Sequence, residues 1–324
     1  MVRAGTGPRV LFFGTPGAFS LPPLAALSDA GLEVVAVFVP APRPLLPGAP
    51  PIRGVQPVAT PVELTLLRPE AEHSVIELAW ARRVPVYQVG RLRDPAVLSL
   101  ARELAPTTIC VACFPAILPP ELLAIPTSGA LNVHPSLLPA FRGPAPIFWV
   151  FRQGERRTGV TVHLIDAGLD TGDIVAQEGF ELPDGILGTE VNRRCAEIGG
   201  RLLVEAVEAM ADGRLDRQAQ DEDRASYFSW PAAADFELSV TRPARWAFNF
   251  MRGADEWQRP FEVVSGNERI PVRAALDWWP DRRLERAWVV QGNEILVQFT
   301  PGVLRAVLAS TDVESKVVPA YNLS

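Results

Sequence analysis

Lysine is almost absent: Lys316, near the C-terminus, is the only one among 31 basic residues. Schiff-base chemistry and a phosphate-cradling P-loop both need a placed lysine, which argues against either. Cysteine is scarce as well, at three residues, an odd number that makes no disulfide framework. Cys110-Val111-Ala112-Cys113 matches the C-x-x-C spacing, yet it closes an apolar run that starts at Thr108 instead of opening a helix. No second ligand pair accompanies it, so strand packing is expected in place of redox or zinc chemistry. No apolar run reaches a membrane span, and the opening MVRAGTGPRV has no signal-peptide core, so the expected location is the cytoplasm with no membrane partner. Positive charge is not in excess either. A net charge of −6 argues against broad electrostatic binding of nucleic acid and leaves room only for a local basic surface.

At 324 residues, with 48% of them hydrophobic, the chain can bury two cores. Residues 10–13, Val-Leu-Phe-Phe, form a continuous apolar run of the kind found in buried parallel strands. A turn at 14–17 leads into a helix over 21–30; the G-x-G-x-x-G spacing is missing, so this is not a dinucleotide fingerprint. A second strand is expected at 34–39. The stretch 40–61 is too rich in Pro and Gly for regular structure. Further on, 84–87 reads as a strand, 96–104 as an amphipathic helix, 108–112 as a core strand, and 189–211 as a long helix ended by Gly213. After a polar segment, residues 242–251 read as a helix, and 261–264, 286–291, 295–299 and 304–309 alternate like the strands of a small barrel. Trp246, Phe248 and Trp257 are expected as core aromatics.

The chemistry concentrates between Leu131 and Asp173, which holds two of the three histidines, His134 and His163. Asn132 and His134 lie two apart on a short apolar run, so an extended chain points both the same way. Pro135 keeps His134 out of a helix and at the mouth of the strand. Ser136 is placed to cap a turn, and Leu137, Leu138 and Pro139 to anchor the loop. A helix is expected over 145–153 and a strand over 160–165 that carries His163 as a supporting residue. Asp170 then sits in the polar turn Leu169-Asp170-Thr171-Gly172, where Gly172 would supply a positive φ.

Asn132-x-His134-x-Ser136-Leu137-Leu138-Pro139, followed by Arg142-Gly143 and later by Gly168-Leu169-Asp170-Thr171-Gly172-Asp173, resembles the signature of the 10-formyltetrahydrofolate-dependent formyltransferases. Phe12-Phe13-Gly14-Thr15-Pro16, Leu21-Pro22-Pro23-Leu24 and Ile117-Leu118-Pro119 resemble the opening strand, first helix and pre-catalytic loop of that family. Within it the likeness is strongest to the enzymes that formylate methionyl-tRNA. The resemblance runs from residue 9 to about residue 210 and more weakly to about residue 300.

The resemblance implies an α/β fold: a Rossmann-like, mostly parallel sheet with a smaller C-terminal OB-like β-barrel. The implied division is a catalytic domain over residues 1–211, a linker over 212–226 and the barrel over 227–324. The implied formyl donor is 10-formyltetrahydrofolate, the acceptor initiator methionyl-tRNA, and the protein a metal-free monomer. Asn132 and His134 would stabilise the oxyanion that develops on the formyl group, and Asp170 would support the imidazole and accept the proton of the attacking amine. Ser136, Leu137, Leu138, Pro139, Phe114, Ile117 and Gly168 would line the folate site. Arg43 would touch tRNA, in a loop where the basic residues usual in the tRNA enzymes are replaced by Leu45-Leu46-Pro47-Gly48-Ala49-Pro50. That loss of charge keeps three other readings open: transfer to an amino sugar, hydrolysis of formyltetrahydrofolate, and a non-catalytic folate-binding homologue.

Overall fold

In the computed structural model the described residues are 7–42, 48–57 and 74–309, and they form two compact units. The first holds the residues up to Arg142 with Gly159–Glu178 and Arg193–Ser226; the second holds Gly143–Thr158, Gly179–Asn192 and the residues from Tyr227 onward. Residues 212–226 thus fall in the first unit, and residues 143–158 in the second.

The first sheet contains β1 (Arg9–Gly14), β2 (Glu33–Pro40), β3 (Ile52–Val55), β4 (Val86–Val89), β5 (Thr108–Ala112), β6 (Gly129–His134), β7 (Arg157–Leu164) and β8 (Ile174–Glu181). Their spatial order is β3-β4-β2-β1-β5-β6-β7-β8. The block from β4 through β2, β1 and β5 to β6 is parallel, while β3 and β7 pair antiparallel with β4 and β6. A parallel sheet covered on both faces needs strands that are apolar throughout, and Val10, Leu11, Phe12 and Phe13 of β1 are all fully buried. From β1 the chain proceeds to β2 on one side and later returns to β5 on the other. Ligands of open α/β sheets bind beyond the strand ends at such a reversal. Ser20 ties the two ends together there: its hydroxyl accepts the Thr15 N–H at 2.9 Å and donates to the Ala112 carbonyl at 2.6 Å.

The helices are α1 (Leu21–Asp29), α2 (Val75–Ala81), α3 (Pro95–Glu103), α4 (Pro120–Leu123), α5 (Pro146–Gln153), α6 (Gly188–Ala211) and α7 (Ala244–Gly253). Helix α6 crosses β6 and β7 so closely that a Cβ on Gly199 would come within 2.4 Å of a Val133 methyl and 3.2 Å of a Val160 methyl. This explains a glycine inside a helix, where it otherwise costs about 1 kcal/mol relative to alanine. Cys110 is buried in β5, as strand packing requires, and burial raises its thiol pKa. Cys113 differs from the expectation: it follows the strand, exposed, at φ 58°.

The second unit contains β9 (Glu237–Ser239), β10 (Phe261–Ser265), β11 (Glu268–Trp279), β12 (Trp288–Gln291), β13 (Glu294–Gln298) and β14 (Val303–Leu308), in the order β12-β13-β14-β11-β10-β9. The long β11 is absent from the sequence reading because Pro271 interrupts its run and most of its side chains face solvent, which blurs the alternation. β3 likewise lies inside the stretch read as irregular, where backbone pairing to β4 overrides a Gly-containing sequence. Phe148 of α5 anchors this unit, its ring lying 5.0 Å from Phe236, 5.2 Å from Phe250 and 5.3 Å from Trp257. Trp246 is buried as expected under the Arg242 guanidinium, 3.7 Å from the ring centre; Phe248 and Trp257 are half-buried.

Gly199→Leu should destabilise the protein by about 1–3 kcal/mol or more, because the added carbons have to displace Val133 and Val160. Urea unfolding measures this; an unchanged midpoint would show that α6 and β6 can separate freely.

Candidate active site

The antiparallel pairing of β6 with β7 sets Asn132 opposite His163 and His134 opposite Thr161. Cross-strand neighbours of this kind share a face and touch. The His163 Nδ1–H donates to the Leu164 carbonyl at 2.8 Å, which leaves Nε2 as an acceptor, and the Asn132 amide donates to it at 3.0 Å. Burial holds the His163 pKa below its ordinary 6.5, and the neighbouring His134 lowers it further. Asp170 and the Leu164 carbonyl act in the other direction without overturning the result. His163 is therefore a neutral ring that orients Asn132, a larger part than the supporting role read from the sequence.

His134 is buried, with Nε2 placed 2.9 Å from the Phe141 carbonyl, to which it donates. Its other nitrogen lies 3.7 Å from Asp170 Oδ2, while Asp170 Oδ1 lies 3.7 Å from His163 Nε2. The carboxylate thus faces both rings at distances longer than a hydrogen bond. The left-handed residue in its loop is Asp170 itself, at φ 56°. Gly172 is required for a different reason than the one expected: a Cβ there would lie 1.9 Å from the Leu164 carbonyl oxygen. Asp166 organises the turn, accepting from the Gly168 N–H at 3.0 Å and the Thr171 hydroxyl at 2.7 Å.

The loop after β6 is held from within. Ser136 is fully buried and its hydroxyl donates to the Ala140 carbonyl at 2.8 Å. Thr161 donates to the Ser136 carbonyl at 2.6 Å and accepts from the Leu138 N–H at 3.1 Å and from the Gln177 amide at 2.8 Å. Leu138 is buried, whereas Leu137 and Pro139 are half-buried. Phe114, in the loop after β5, packs edge-on against Phe13 at 5.2 Å. Ile117 in the same loop is 72% exposed. That loop leaves the sheet beside β6, at the edge that carries His134. Gly168 is exposed, and Arg43 lies outside the described residues. No cluster of three metal-ligating side chains occurs among the described residues, and none of the described helices is long and apolar enough to cross a membrane.

Four residues of this region carry no role in the sequence reading: Arg142, Gln220, Glu222 and Ser226. Arg142 is buried, yet its guanidinium donates to Gln220 at 2.9 Å and to Glu222 at 2.7 and 3.0 Å. The Glu222 carboxylate raises its pKa, and Asp170 and Asp166 add to that effect. A charged side chain amid the apolar run 137–151 was the available signal; its partners about 80 residues later were not.

Residues 9–207 match the family described as formyl transferase. The chain belongs to the formyl transferase family. It is 35% identical over 268 residues to a methionyl-tRNA formyltransferase of Pelotomaculum thermopropionicum, covering 83% of this chain and 79% of the relative. It is 38% identical over 247 residues to one of Synechococcus sp., covering 75% and 70%. The fold matches that of a sugar 3N-formyl transferase crystallised in the presence of dTDP and 5-N-formyl-THF, with a TM-score of 0.65, 14% identity and coverage of 95% of this chain and 100% of the other. As a member of the family this protein is a formyl-transferring enzyme.

The state of His163 makes a test of this formyl transferase. Its unfolded form binds a proton near pH 6.5 and the folded ring does so only at lower pH, so His163 costs stability as pH falls through 6.5. The stability of the wild type minus that of His163→Gln should therefore shrink between pH 7.5 and 5.5 in urea titrations. A difference independent of pH would show that burial does not lower the affinity of the ring for a proton.

Proposed function

We propose that this formyl transferase moves the formyl group of 10-formyltetrahydrofolate onto the amino group of methionyl-tRNA, the step that prepares initiator tRNA for translation. What carries the reading is the convergence of Asn132 and His134 of β6 with Asp170 from the loop after β7, in a chain with methionyl-tRNA formyltransferases among its relatives. The amine attacks the formyl carbon, negative charge builds on the formyl oxygen, and the attacking nitrogen sheds a proton. Asn132 gives one amide hydrogen to His163 and keeps the other for that oxygen. His134, with Nε2–H committed to Phe141, meets the developing charge through a proton on Nδ1. Such preorganised donors commonly contribute several kcal/mol. Asp170 balances the imidazolium and receives the amine proton, directly or through water.

Ile117, Phe114, Ser136, Leu137, Leu138, Pro139 and Gly168 serve the folate in this reading, with Ile117 offering an apolar surface to the pterin. The six-stranded sheet of the second unit acts as an OB-like barrel, a fold that often meets nucleic acid. Arg43 reaches the acceptor stem from a loop with little other charge, so tRNA affinity falls less steeply with salt than it would for a protein making ~6–10 phosphate contacts.

Supplying 10-formyltetrahydrofolate with charged initiator tRNA, with an amino-sugar nucleotide or with water alone, and following tetrahydrofolate release, tests the acceptor. Methionyl-tRNA should be used and the others should not. His134→Ala and Asp170→Asn should each lower turnover by about 10²-fold or more while the protein stays folded at the assay temperature. Near-normal turnover in either variant would remove that residue from the mechanism, and release with the sugar nucleotide or water alone would replace the acceptor.

Arg43→Glu tests the tRNA contact separately. The KM for methionyl-tRNA should rise and the KM for the folate should not; a shift in both would move Arg43 to another role.

A further inference from the structure

The segment that links α6 to the second sheet does more than span a distance. Gln218 pairs with Ile174 through two backbone hydrogen bonds of 2.8 and 2.9 Å, which lays the chain along the strand that follows the Asp170 loop. Two residues on, Gln220 is fixed in direction by chemistry. Arg142 presents only donors, so the Gln220 amide oxygen must face it, accepting at 2.9 and 3.1 Å. The amide nitrogen then points the other way and donates to the carbonyls of Asp170 at 2.8 Å and Gly172 at 2.7 Å. Glu222 holds the second edge of the same guanidinium.

At the end of the segment, the Ser226 hydroxyl accepts the Phe141 N–H at 2.9 Å and its carbonyl accepts the Arg142 N–H at 2.8 Å. Phe141, at φ 62°, is the residue whose carbonyl receives the His134 Nε2–H. One short segment therefore grips the backbone on both sides of the catalytic pair.

We propose that Arg142, Gln220, Glu222 and Ser226 are positioning residues that set the distance and the orientation of the His134–Asp170 pair. This rests on the roles given to that pair above. A plain tether would need neither a buried guanidinium nor an amide aimed at two carbonyls. A displacement of about 1 Å between reacting groups can cost on the order of 10²-fold in rate.

Gln220→Glu keeps the shape and the Arg142 contact and turns a carboxylate oxygen toward the two carbonyls. It should lower kcat about 10- to 100-fold, leave the KM of both substrates within about threefold, and displace the pH profile of kcat, with the protein still folded at the assay temperature. Ser226→Ala should act through His134, and Ser226→Thr, which keeps the oxygen, should recover part of the lost kcat. The imidazole N–H signals read the same proposal without turnover: one hydrogen-bonded Nε2–H signal of His134 in the wild type, a shifted or broadened one in Ser226→Ala. Activity that merely tracks the folded fraction, or a His134 Nε2–H signal indifferent to Ser226, would overturn the proposal. A wild type inactive with every acceptor would instead sink the proposed function and leave the spectra to decide on the positioning residues.

Discussion

The antiparallel pairing of β6 with β7 is the constraint on which the site depends. On the parallel side Asn132 has only the apolar Val111 of β5 opposite it. Because β7 runs back along β6, Asn132 meets His163 and His134 meets Thr161 in register. A slip of one residue would turn both side chains to the opposite face of the sheet. The register is protected by packing: the Gly199 turn of α6 lies against Val133 and Val160, one residue of each strand, and leaves no room for a bulkier pairing.

A second constraint is electrostatic. A guanidinium as buried as that of Arg142 is costly unless its donors are met, and it is met by Glu222 and Gln220 from a distant stretch of the same unit. Satisfying that charge obliges residues 220–226 to lie over the site loops, and the same contacts hold two non-glycine residues, Phe141 and Asp170, in left-handed backbone conformations. Such conformations persist only where surrounding bonds over-determine them.

A sugar formyl transferase shares this fold at 14% identity, and a common fold does not by itself fix the acceptor.

The legibility of this protein follows from the range of its interactions. Continuous apolar runs announced β1, β2 and β5, because burial on both faces leaves no room for polar residues. The resemblance of the run from Asn132 to Asp173 to a family signature announced the formyl transferase family, since such a signature is written in local sequence. The strands β3 and β11 were not legible, because partners on other strands, and not their own Pro- or Gly-interrupted sequences, hold them extended. The sequence by itself thus determined the α/β fold class and the family. Only the tertiary structure decided that His163 is the acceptor orienting Asn132, that Asp170 rather than Gly172 takes the left-handed turn, and that Gln220 bonds the Asp170 and Gly172 carbonyls while Ser226 bonds the backbone of Phe141 and Arg142. Those outcomes depend on hydrogen bonds between residues up to 85 positions apart, which no local pattern encodes.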